Sequence, residues 1–82
     1  MHLSSNPASN EDTKLFFDMA TAGGAQLELI DVTGRVQILQ SGFMPSGKQQ
    51  INIDPRALTP GSYLLRLSTS TGSATQKLMI TR

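Results

Sequence analysis

An all-β antiparallel sandwich of about seven short strands is the fold that the sequence predicts. Three observations lead there. Apolar and polar residues alternate over short segments, which is the period of a half-buried strand. Turn-forming residues recur about every 8–12 residues between those segments. No helical periodicity runs longer than one turn, and no heptad or solenoid-sized repeat is present.

The elements follow in order. Residues 1–12 read as a polar linker with room for a short edge strand, and residues 13–82 as the sandwich. Asn6 precedes Pro7 and is pushed to extended backbone. Over residues 13–20, Leu15, Phe17 and Met19 alternate with Lys14, Phe16 and Asp18. Ala22-Gly23-Gly24 reads as a flexible turn. A strand follows over residues 25–30, with Leu27 and Leu29 on one face and Gln26 and Glu28 on the other.

Asp31-Val32-Thr33-Gly34 then reads as a hairpin turn. Asp at its first position accepts from backbone N–H groups two residues on, and Gly at the fourth suits the left-handed residue of a bulged hairpin. Its antiparallel partner spans residues 35–40, with Val36 and Ile38 expected inward. Residues 41–47 hold Pro45 and two glycines and read as a loop. Residues 48–53 form the next strand, with Ile51 and Ile53 inward. Asp54-Pro55-Arg56-Ala57-Leu58 reads as one helical turn, capped by Asp54 and opened by Pro55, with Leu58 tucked under the sandwich.

Leu58-Thr59-Pro60-Gly61-Ser62-Tyr63-Leu64-Leu65-Arg66-Leu67 organises the rest. Pro60 fixes φ and Gly61 permits a positive one. Tyr63, Leu65 and Leu67 fall two apart and share a strand face. In immunoglobulin-like sandwiches a tyrosine at the start of a late strand bonds back to the backbone upstream, closing a corner. Tyr63 is placed to do that, so the sandwich is read as immunoglobulin-like. Thr69-Ser70-Thr71-Gly72 repeats the offsets of the earlier hairpin turn. The last strand, residues 73–81, places Leu78 and Ile80 on one face and Lys77 and Met79 on the other.

Size and composition narrow the function. At 82 residues the chain is one domain, and a chain of this size buries only about 60–65% of its unfolded surface. It has no Cys, so no disulfide reinforces the core and no thiolate chemistry is available. The net charge of +1 points to neither nucleic acid nor strong repulsion, and only Phe16, Phe17, Phe43 and Tyr63 are available to stack on bases. No apolar run approaches the ~18–20 residues that span a bilayer. No charged start followed by an apolar stretch marks a secretory signal, which leaves a cytoplasmic protein or a segment of a longer chain.

Catalytic chemistry is not expected. The single histidine, His2, supports neither a histidine metal cluster nor a Ser-His-Asp arrangement. Glu11 and Asp12 are adjacent and would point apart in a strand, while Asp31 and Asp54 serve a turn and a cap. No metal or cofactor is expected. Phe16, Ile30, Leu39, Leu64 and Met79 fall opposite the alternating core set. Two readings of them stay open: loops or a bulge cover some of them, or one sheet docks on a partner or on a parent protein.

The ordered segments resemble a known family. They are Asn6-Pro7-Ala8-Ser9, Leu27-Glu28-Leu29-Ile30-Asp31-Val32-Thr33-Gly34-Arg35-Val36, Ile51-Asn52-Ile53-Asp54, residues 58–67, and Lys77-Leu78-Met79-Ile80. Together they resemble the C-terminal sorting domain of type IX secretion cargo of Bacteroidetes, over nearly the whole chain. Gly61 and Tyr63 match the family's G-x-Y motif, and Asp31, Gly34 and Arg35 its hairpin motif. Lys77, Leu78, Met79 and Ile80 match its terminal strand.

The resemblance implies a small immunoglobulin-like domain that is an address label and not an enzyme. It implies recognition by the outer-membrane type IX translocon after the cargo reaches the periplasm. A cell-surface sortase then usually removes the domain and joins the cargo to an anionic lipopolysaccharide. The implied partners are translocon and sortase components and an upstream cargo domain. The implied location is the periplasm in transit, then the cell surface or the extracellular space. Within this picture Lys77, Leu78, Met79 and Ile80 are the candidate surface read by the translocon, by strand addition or by capture of the tail. The open edges of a small sandwich also allow an edge-paired dimer. The competing readings are a structural spacer and an adhesion or carbohydrate-binding module of a larger surface protein.

Overall fold

The protein is described by a computed structural model, which covers residues 1–4 and 12–81. Asn6-Pro7 and its neighbours, Glu11 and Arg82 lie outside the described residues. Among the described residues there are seven strands: β1 His2–Leu3, β2 Thr13–Met19, β3 Gly23–Asp31, β4 Val36–Met44, β5 Gly47–Ile53, β6 Gly61–Thr69 and β7 Gly72–Ile80. A single 3₁₀ turn, Pro55–Ala57, lies between β5 and β6. The strands form two antiparallel sheets, ordered β1-β2-β5 and β4-β3-β6-β7.

This is an immunoglobulin-like sandwich, as the sequence predicts. In that fold's lettering the larger sheet is the C, F and G set, with the fourth strand added beside C. The core lies between the sheets and follows the period-two pattern. Leu15, Phe17, Met19 and Ile53 come from the smaller sheet. Leu27, Leu29, Tyr63, Leu65, Leu67, Leu78 and Ile80 come from the larger. Each buried leucine or isoleucine contributes roughly 1.5–3 kcal/mol relative to exposure. A thin core therefore depends on every strand that supplies one.

Several expectations need correction. Val36 and Ile38 were expected inward, yet they are 47% and 57% exposed. The Asp31 turn pairs Ile30 with Val36, and Ile38 stands opposite Glu28. Both apolar residues therefore take the outward face of Ile30 and Glu28. Between Leu27 and Glu28 the register shifts, and Leu39 is the extra residue. That β-bulge turns Leu39 toward the core, where it is half-buried, in line with the reading in which a bulge covers part of that set.

Beyond the bulge the strand continues. Residues 41–44 are strand and not loop, and Met44 is a core residue. Gly42 sits in this strand at φ 129°, a geometry that side chains resist. Pro45 and Ser46 alone carry the chain to the other sheet, where β5 begins at Gly47. Gly23 and Gly24 belong to β3, opposite Met44 and Phe43, so the turn falls earlier, at residues 20–22.

Candidate functional site

The Asp31 turn is built around one carboxylate oxygen. Asp31 Oδ1 accepts from the Thr33 N–H at 2.9 Å, the Thr33 hydroxyl at 2.6 Å and the Arg35 N–H at 3.0 Å. The Gly34 N–H donates to the Asp31 carbonyl, and Gly34 takes φ 87°. Only a residue free of a Cβ penalty accepts that φ cheaply, which explains the Asp-x-x-Gly spacing. The Thr33 hydroxyl, the N–H groups of Arg35 and Thr33 and the nearby Arg35 charge together hold the Asp31 carboxyl below its ordinary pKa.

The tyrosine corner forms as expected. The Tyr63 hydroxyl donates to the Thr59 carbonyl at 2.5 Å and lies 3.0 Å from the Thr59 hydroxyl. Its ring is buried in the core. Gly61 opens β6 with φ 149°. Just upstream, Asp54 caps the 3₁₀ turn by accepting from the Arg56 N–H at 3.0 Å and pairs with the Arg56 side chain at 2.9 Å. Pro55 is buried, and Leu58 packs against the core.

Asp31 and Tyr63 are register partners in the β3–β6 pair. The hairpin motif and the corner motif, distant in sequence, therefore meet. Between them lies a cavity of about 210 Å³ lined by Leu29, Asp31, Arg35, Gln37, Leu58 and Tyr63, with Ala57 and Thr59. Sequence reasoning did not find this meeting. The signal available was the length of the two strands back from their turns, which sets which residues pair.

The four terminal-strand residues divide between the two faces of β7. Leu78 and Ile80 are fully buried. Lys77 is exposed and stands opposite Leu64 on the outer face of the larger sheet. Met79 is half-buried on that face, where the Ser62 hydroxyl meets its sulfur at 3.6 Å. β7 is also a sheet edge.

That outer face gathers Ile30, Leu64 and Met79 with Val36 and Ile38, beside the Arg66–Glu28 ion pair at 2.8 Å. Phe16 is not part of it: it lies on the smaller sheet and stacks on His2 at 5.0 Å. Phe43 was placed in a loop by the sequence reading, yet it is strand-borne and 73% exposed. A second cavity, about 270 Å³, opens at the other end of the sandwich, beside Asp18, Gly23, Thr69 and Thr71. Among the described residues no group of three or more His, Cys, Asp or Glu side chains is placed to hold a metal.

A seven-stranded sandwich whose distinctive side chains build a turn, a corner and an edge strand is a small immunoglobulin-like module. The family comparison makes this particular. Residues 6–81 match the family model described as the secretion system C-terminal sorting domain, and the chain belongs to that family. It is a type IX secretion sorting signal, of a family of Bacteroidetes that is not catalytic. Such a signal works with the type IX machinery and directs export to the cell surface or extracellular space. No curated protein matches the chain.

Proposed function

We propose that the domain directs a cargo protein from the periplasm through the outer-membrane type IX translocon, and that a surface sortase then removes it. The translocon reads the outward side of β7. Lys77 and Met79 make the contact, while Leu78 and Ile80 anchor the strand so that it can be read. The observation that carries this reading is the position of the family's terminal strand. It lies on an open sheet edge with Lys77 turned outward, which suits recognition by strand addition. Asp31, Gly34, Gly61 and Tyr63 serve the fold that presents this edge.

The burial of Leu78 and Ile80 shapes the experiment. Deleting residues 77–82 removes core as well as contact surface, so export loss there would not separate the two. A reporter with a periplasmic export signal is instead fused upstream of the domain and expressed in a bacterium that has the translocon. Surface delivery with loss of the domain is the expected outcome. Lys77→Glu should leave the reporter in the periplasm while the domain's melting transition stays unchanged. Normal delivery of the Lys77→Glu fusion would remove β7 from the recognition surface.

A further inference from the structure

We propose that the cavity between the Asp31 turn and the Tyr63 corner, continued along the open edge of β4, binds an extended peptide segment bearing a carboxylate. That the segment comes from the export machinery rests on the function proposed above. The binding chemistry itself rests on three independent features of the molecule.

The first is the edge. β4 has a strand neighbour on one side only. Its nine residues, Val36–Met44, include no charged side chain, and Val36, Ile38 and Phe43 stand exposed. Sheet edges are ordinarily protected by charge, as by Lys48 on β5. The bulge at Leu39 limits regular pairing to the stretch before it, so a short segment fits and a long ladder does not.

The second is the pocket at the end of that stretch. Strand addition takes affinity from main-chain bonds and specificity from side-chain pockets beside the edge. Gln37 belongs both to β4 and to the cavity wall, whose apolar lining includes Leu29, Leu58 and Tyr63. A strand laid along Val36, Gln37 and Ile38 would pass its inward side chain into that space.

The third is charge. Arg56 and Arg66 are each ion-paired with a carboxylate. Arg35, in the cavity lining, makes no ion pair among the described residues. The neighbouring Asp31 oxygen is taken up by three donors of its own turn. A guanidinium with no direct carboxylate partner, lining a cavity with Leu29, Leu58 and Tyr63 as well as Asp31, suits a carboxylate, which it can hold with two parallel bonds. A second copy of this chain fits poorly, since its β4 supplies no carboxylate and carries the same bulge.

Two experiments test this, one with export and one without. In the reporter fusion, Arg35→Glu should lower surface delivery about tenfold, the effect of losing one charge-assisted contact. Arg35→Lys, which keeps charge but loses the fork, should fall between. Wild-type delivery matched by Arg35→Glu would overturn the subsite and leave the export reading standing. Failure of the wild-type fusion itself would instead overturn the export reading. The isolated 82-residue domain then decides the subsite by amide NMR with sodium propionate and, at equal ionic strength, propionamide. Saturable shifts at Arg35, Gln37 and Leu58 with propionate alone, lost in Arg35→Gln, are expected. Absence of such shifts, or a concentration-dependent dimer protecting the β4 amides, would overturn the proposal.

Discussion

The two edges of the larger sheet solve the same backbone problem in opposite ways. β7 pairs with β6 over nine register partners without a bulge. It buries Leu78 and Ile80 and shows Lys77, Ser73 and Thr75 to solvent. β4 is broken by the Leu39 bulge, buries only Met44 fully and faces solvent with Val36, Ile38 and Phe43. Burial decides which edge can change: the sandwich depends on β7 for core, whereas much of β4 is available for other uses.

The largest expected effect lies on β7. Leu78→Ala should cost about 2–5 kcal/mol, a large part of the ~5–15 kcal/mol that holds a domain together. Urea denaturation with equal m-values checks it. A loss below about 1 kcal/mol would show that β7 contributes no more than an ordinary surface strand.

Next comes Tyr63→Phe, which removes the hydroxyl from the corner. It should cost about 1–2 kcal/mol, the range for a lost bond that leaves a partly buried carbonyl unmatched. The fold should persist, with export reduced only as far as stability falls. Export loss at unchanged stability would instead make Tyr63 part of the surface that is read.

Asp31→Asn sharpens the comparison through pH. The Asp31 carboxyl is held below its ordinary 3.8 in the folded state, so the charge stabilises the fold above that unfolded value. The contribution is lost as pH falls through the lower folded value. Melting temperatures between neutral pH and the acid range should show part of the wild-type decline missing from Asp31→Asn. Parallel declines would mean that the charge of Asp31 plays no part.

The smallest effects lie on the outer face and on β4. Leu64→Lys should leave folding intact, since Leu64 is 39% exposed beside Lys77. Ile38→Thr should change stability by no more than about 0.5 kcal/mol. Unfolding by either substitution would mean that this face is needed for the fold itself.

Local chemistry was legible in the sequence, and register was not. The Asp31 turn, the Asp54 cap and the Tyr63 corner each use donors and acceptors within four residues, so spacing alone announces them. The facing of Val36 and Ile38 depends on which residues of β3 they meet, and that of Leu39 on a bulge partway along the pair. Gly23, Gly24 and Gly42 read as punctuation, yet they lie inside strands. The candidate cavity was illegible for the same reason, because Asp31 and Tyr63 become neighbours only through β3–β6 pairing. The division of Lys77 and Met79 from Leu78 and Ile80 was legible, since strand alternation alone sets it.

The burial of Leu78 and Ile80 also bears on timing. The two strands of the final hairpin are neighbours in sequence, but the core they close includes residues as early as Leu15 and Phe17. A polypeptide that stops short of β7 leaves that core open along one side. Folding of this domain therefore reports that synthesis has run through Ile80. A chain cut short before β7 would leave apolar side chains of both sheets in water that the whole domain keeps buried.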